Sequence, residues 1–130
     1  LCGAVKIAIH GAIRDIIHCH CSLCRKASGT AYATNGFVAA NDLKITTGEQ
    51  LLASFESAPG KHRHFCKICA SPIFSSNVAD PNRLRLRLGI LDSAITERPI
   101  SHNFVSSKAN WDDLDAQLPR SDSYEVGRSN

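Results

Sequence analysis

Six cysteines, at positions 2, 19, 21, 24, 66 and 69, constrain this chain more than any other feature. Cys19, Cys21 and Cys24 crowd into "HCHCSLCRK", while Cys66 and Cys69 form a separate C-x-x-C in "CKIC". A disulfide framework suits small secreted chains with deficient cores, and six cysteines would allow 15 connectivities. A chain of 130 residues, however, can bury a core without such staples. A thioredoxin-like redox pair needs a βαβ context, which the strand-rich pattern below does not offer. Cysteines acting as small buried hydrophobes explain one or two positions but not the clustering. Metal binding carries the most weight. Thiolates at this spacing favour tetrahedral zinc, and neither ferredoxin spacing of an iron–sulfur protein is present.

Two pairings of the thiols stay open. Cys21 and Cys24 can join Cys66 and Cys69 in one closed ribbon-like site, but the intervening stretch far exceeds the roughly 15–20 residues of a typical ribbon. Alternatively Cys19, Cys21 and Cys24 hold one ion, and Cys66 and Cys69 hold another with Cys2. Spacing favours the second, which leaves no cysteine idle.

The rest of the sequence reads as short strands divided by turn signals. "RLRLRLGIL" alternates Arg83, Arg85 and Arg87 with Leu84, Leu86 and Leu88, a period of two that marks a half-buried strand; its arginine row could meet an anionic ligand, but an outward polar face is the favoured reading. "GAVKIAIHG" predicts a strand, and "RDIIH" predicts a second one returning after the turn near Gly11. "SLCRKASG" offers a Ser22 cap and a Gly29 stop for one short helix. "AYATNGFVA", "LKITTG", "LLASFES", "KHRHFC" and "SPIFSS" supply further β-type runs, and "HNFVS" (102–106) is the last strand candidate. Trp111 is expected as a core anchor. From about residue 112 the chain turns acidic and polar, as a loose C-terminal tail would. The expectation is one mainly β domain over residues 1–130, antiparallel, with short helical turns.

Composition excludes several classes. A net charge of +3 and an aromatic share of 6% give little support to a nucleic-acid module. No apolar run approaches the roughly 20 residues of a membrane span, and no charged-then-apolar leader is visible, so no membrane partner and a cytoplasmic location are expected. The chain contains no methionine, so Leu1 is not expected to be a translational start.

"LCGAV", "HCHCSLCRK", "PGKHRHFCKICASPIF", "RLRLGILD" and "HNFVSSKANW" occur in an order that resembles the glutathione-dependent formaldehyde-activating enzymes, a family that includes the centromere protein V-like proteins. The resemblance runs from Cys2 to Trp111. It implies zinc-bearing antiparallel sheets of the Mss4-like, or β-tent, type. It also implies the second pairing, with two zinc ions. Cys2, Cys66 and Cys69 would belong to a structural site whose remaining cysteine lies just upstream of Leu1. Cys19, Cys21 and Cys24 would form an open, catalytic site. Ala70 stands where the family usually carries glycine.

The same resemblance implies a carbon–sulfur lyase-type reaction in which a small thiol such as glutathione completes the open site and adds to an aldehyde such as formaldehyde. A fourth thiolate would raise the charge of the site from −1 to −2. Arg25 and Lys26, with His18 and His20, are the expected counter-charges or carboxylate holders for the co-substrate. His20 lies between two ligands in an extended segment, so it should face away from the metal. His62, His64, His102 and Lys108 receive no assigned role. The alternative function is a non-catalytic, zinc-stabilised binding module of the same fold. Nothing in the sequence indicates an oligomeric state.

Overall fold

The computed structural model describes residues 1–114 together with 117, 118 and 122. Most of the tail expected from residue 112 lies outside the described residues. Among the described residues nine strands and one α-helix, joined by four short 3₁₀ turns, make the architecture mainly β. Strands β1 (Lys6–Ile9) and β4 (Leu43–Thr47) form a two-stranded sheet. The other seven are β2 (Arg14–Cys19), β3 (Ala33–Ala39), β5 (Leu52–Ala58), β6 (Lys61–Cys66), β7 (Pro72–Asn77), β8 (Arg83–Arg87) and β9 (Ser101–Asn103). They form a second sheet in the order β5-β6-β7-β8-β3-β2-β9. Every pair is antiparallel except β2 with β9. Helix α1 (Ser22–Ser28) connects β2 to β3.

The expected return of "RDIIH" onto the first strand does not occur. β1 instead pairs with β4, with Ile7 opposite Ile45 and Ile9 opposite Leu43. That pairing puts Ile7 and Ile9 against a core of Ile13, Ile16, Val38 and Leu86. Burying an aliphatic side chain of this size stabilises by about 1.5–3 kcal/mol, more than a tight β1–β2 turn would offer. Gly36 of β3 lets the strands close on this core, since a Cβ there would sit 2.5 Å from Cγ2 of Ile13. The last strand is also shorter than predicted. It ends at Asn103 because Phe104 adopts a left-handed backbone, φ +59°, which starts a 3₁₀ turn at Val105–Ser107.

Trp111 is not a core anchor: it is 70% exposed. Asp112 N–H donates to the Ala109 carbonyl at 3.2 Å, and that turn buries Ala109 and sends the indole outward. The alternation in β8 holds, with Leu86 fully buried, but the arginine face is not uniformly outward. Exposure falls along the strand until Arg87 is only 7% accessible. Among the described residues no helix is long and apolar enough to cross a membrane.

Candidate metal centre

Cys19 ends β2, Cys21 precedes α1, and Cys24 sits in its first turn. The helix is capped by Cys21 rather than by Ser22, because the Cys21 Sγ accepts the Cys24 N–H at 3.4 Å. At the other end Gly29 takes a left-handed conformation and donates its N–H to the Arg25 carbonyl at 2.8 Å, as the glycine predicts. Strand end and capped helix together bring the three Sγ atoms within 4.8 Å of one another, with Cys19 and Cys21 at 3.6 Å. A tetrahedral zinc with sulfurs about 2.3 Å away needs sulfur–sulfur edges of about 3.8 Å. The donor set and its spacing therefore fit such an ion.

His20, between two of these thiols, turns to the opposite side. It is fully buried, and its Nε2 lies 2.9 Å from Nδ1 of His102 in a hydrogen bond. Its Nδ1 is 3.7 Å from Oδ2 of Asp112, an electrostatic contact too long for a hydrogen bond. Burial, reinforced by His102, lowers the His20 pKa from the ordinary imidazole value. His18 faces Tyr32 and hydrogen-bonds through Nδ1 to Oγ1 of Thr34 at 3.0 Å. Neither histidine belongs to the thiol trio.

Cys2, Cys66 and Cys69 form a second trio that shares no member with the first. The structure therefore does not bring Cys21 and Cys24 to Cys66 and Cys69 in one ribbon-like site. Cys66 ends β6, and its Sγ lies 3.8 Å from that of Cys2. The chain then folds tightly: Ala70 N–H donates to the Cys66 carbonyl at 2.8 Å, and Cys66 N–H to the Ser71 carbonyl at 3.0 Å. The Ser71 N–H, followed by contacts from Cys2, brings the Cys69 thiol down to about 7. At Cys2 a hydrogen bond from the Ala4 backbone favours the thiolate, but the neighbouring Cys69 and Cys66 outweigh it and raise the pKa.

In the first trio, burial pushes the Cys19 thiol up to about 12, so a cation must supply the charge that keeps it ionised. Burial also opposes the Cys24 thiolate. There, hydrogen bonds from Cys19 and Cys21 and the nearby charge of Arg87 outweigh burial and lower the pKa. Arg87 reaches the trio from β8, donating from Nη1 to Oδ1 of Asn35 and engaging the Cys24 side chain.

Of the cations expected on α1, Arg25 donates from Nε to the His20 carbonyl at 3.2 Å, and Lys26 is exposed. Arg87 was not singled out by sequence reasoning as a neighbour of the cysteines. The alternation in "RLRLRL" assigns it to the arginine face; nothing in that stretch tells that α1 covers the inner end of the face. His64 is likewise a packing residue, stacked on Phe74 at 4.4 Å with Nε2 at 2.9 Å from Oγ of Ser76.

A β-rich fold carrying two separate three-thiol groups defines a class of protein able to hold metal through cysteine sulfur. Residues 1–107 match the model of the family described as "Glutathione-dependent formaldehyde-activating enzyme", and the chain belongs to that family. It is similar to a Halomonas elongata protein named "Putative glutathione-dependent formaldehyde-activating enzyme", with 28% identity over 124 residues, covering 89% of this chain and 78% of the relative. Its fold is similar to the crystal structure of a Rhodobacter sphaeroides protein from a structural genomics programme. That likeness has a TM-score of 0.62 at 21% identity and covers 78% of this chain and 94% of the other.

Proposed function

We propose that the protein is a carbon–sulfur lyase-type enzyme that binds a small, glutathione-like thiol at a zinc held by Cys19, Cys21 and Cys24 and joins it to an aldehyde such as formaldehyde. The observation that carries this reading is the convergence of the Cys19, Cys21 and Cys24 Sγ atoms within 4.8 Å beside the guanidinium of Arg87, in a chain of the formaldehyde-activating family. A catalytic zinc keeps one position for a non-protein ligand, whereas a structural zinc is closed. Cys2, Cys66 and Cys69 are proposed as the ligands of a second, structural zinc. A zinc ion held by the first trio would supply the charge that keeps an incoming thiol deprotonated near neutral pH.

The chain's own residues do the rest. Against its burial, Cys24 is biased toward the thiolate by hydrogen bonds from Cys19 and Cys21, to which the charge of Arg87 adds. Arg25 and Lys26 are proposed to meet an anionic group of the peptide thiol from the helix side. The cytoplasm is the proposed location.

Zinc-loaded protein titrated with glutathione in a calorimeter tests the proposal. Binding to the wild type that is lost in Cys24→Ser is the expected result. No heat with either protein favours the non-catalytic binding module.

A further inference from the structure

The arginine face of β8 ends in a cavity of about 150 Å³ directly beside Cys24. Register explains how it is built. Arg63 of β6 lies opposite Ser75 of β7, and Ser75 lies opposite Arg85 of β8. Side chains directly opposite across an antiparallel pair share a face, so Arg63, Ser75 and Arg85 form one row across three strands. Arg87, two residues along β8 from Arg85, points to the same face and to Cys24. Cys24, His62, Arg63, Ser75, Arg85 and Arg87 all line the cavity.

Cations outnumber acidic groups in this cavity, where Lys61, Arg63, Arg83, Arg85 and Arg87 stand against Asp80 and the Cys24 thiol. Asp80 also lines it, but its carboxylate is taken by Arg83 at 2.8 Å. Among the described residues no carboxylate forms an ion pair with Arg63, Arg85 or Arg87. Arg85 rests over the Phe37 ring, with its guanidinium carbon 5.0 Å from the centroid. Nη1 of Arg63 is buried and has no hydrogen-bond partner. A buried guanidinium donor left unsatisfied costs about 1–3 kcal/mol or more, and clustering like charges adds to that. A fold that gathers Arg63, Arg85 and Arg87 around one small space, and leaves a buried donor of Arg63 unpartnered, suits an anion there. The volume admits about five water-sized groups, enough for a carboxylate and the short chain that carries it. Planar guanidinium forks match a carboxylate through paired hydrogen bonds, which a point charge does not.

We propose that the Arg63–Arg85–Arg87 cavity is the carboxylate subsite of the thiol co-substrate, and that it selects thiols bearing a carboxylate within reach of Cys24. The inference rests on the thiol-binding reading above. It assigns specificity to the β-sheet face rather than to Arg25 and Lys26 alone.

Six calorimetric titrations on zinc-loaded protein test it: glutathione, glutathione diethyl ester and S-methylglutathione, each on the wild type and on Arg63→Gln/Arg85→Gln. Two charge-assisted hydrogen bonds correspond to a preference of at least about 10-fold for glutathione over its ester. The expected result is that preference in the wild type and near parity in the double variant, with ester affinity and zinc content unchanged. Equal binding of glutathione and ester by the wild type overturns the subsite while leaving thiol binding intact, as does a preference that survives in the double variant. If neither thiol binds, the thiol reading fails. The cavity is then judged by S-methylglutathione, which has no free thiol: binding to the wild type and loss in the double variant upholds the anion site, and no binding overturns it. Should the double variant lose zinc or ester affinity, Arg63→Gln and Arg85→Gln taken singly must each reduce the preference, or the subsite is overturned.

Discussion

Asn35 and Arg87 face each other across the β3–β8 ladder, and the Oδ1 of Asn35 accepts from the Arg87 guanidinium in the interior of the sheet face. Both side chains are buried, and Asn35 also donates from Nδ2 to the Ala33 carbonyl at 3.2 Å. The pair anchors the guanidinium that engages Cys24. Asn35→Ala removes the acceptor and leaves a buried charge with one partner fewer, which costs about 1–3 kcal/mol. Urea unfolding of the zinc-loaded protein, compared with wild type, measures the loss. An unchanged midpoint would show that the amide does not hold the guanidinium.

The two thiol trios share no residue, so each should lose metal independently. Cys24→Ser is expected to remove one zinc per chain and keep the other, and Cys69→Ser to do the same at the opposite site. Removing metal from the Cys2, Cys66 and Cys69 group should also lower the unfolding midpoint, because metal that binds only the folded chain contributes its binding energy to folding. Elemental analysis of the two variants checks the stoichiometry. Loss of both ions from either variant would mean that the sites are coupled.

Much of this arrangement was legible in the sequence, and the remainder was hidden for definable reasons. Local patterns located β8 from its period of two, the short helix from Gly29, and the C-x-x-C turn from its own spacing. The direction of His20 followed from the alternation of an extended segment. What failed was non-local. "RDIIH" suggested a hairpin with β1, yet the packing of Ile7 and Ile9 made β4 the partner. Trp111 carried a large apolar surface that suggested burial, but the Ala109–Asp112 turn directs it outward. Arg25 and Lys26 adjoin Cys24 in sequence and are the expected counter-charges on that ground. Arg87 reaches Cys24 from a strand more than sixty residues away, and only sheet order brings it there.

Ala70 sits at φ +58°, a left-handed conformation in which its Cβ is crowded, one residue beyond Cys69. Its N–H closes the turn onto the Cys66 carbonyl at 2.8 Å, so the conformation belongs to the turn that carries Cys69. Glycine adopts this region without penalty, whereas other L-residues pay roughly 1–2 kcal/mol. Ala70→Gly should therefore stabilise the folded chain by about 1 kcal/mol after the extra flexibility of the unfolded glycine is deducted. Thermal unfolding with zinc held constant checks the sign, and a lower midpoint would contradict it.

Gly36 makes the reverse case. It allows Ile13 and Ile16 to approach β3, and an added Cβ would meet Ile13 Cγ2 at 2.5 Å and Ile16 Cγ1 at 3.0 Å. Ile16 is fully buried, so the core has little room to give. Gly36→Ala should destabilise by about 1–3 kcal/mol through overpacking. Because the clash lies away from both trios, zinc content should not change. A variant as stable as wild type would show that Ile13 can shift without cost.

Glu97 ties the segment after β8 back to the start of β2. Its carboxylate accepts from the Ile13 N–H at 3.4 Å and from the Thr96 N–H at 3.1 Å. Hydrogen bonds from its own backbone N–H and then from that of Ile13 hold its pKa below the ordinary 4.5. The ionised form is thus favoured in the folded chain, and the unfolded chain binds the proton more readily. The contribution to stability is present above the ordinary glutamate value and is lost as pH falls through the lowered folded value. Amide hydrogen exchange at Ile13 and Thr96 should accelerate in that window, below about pH 4.5, relative to the same amides at pH 6 once intrinsic rates are corrected. Glu97→Gln should abolish this pH dependence, and its persistence in the variant would assign the acid sensitivity to another group.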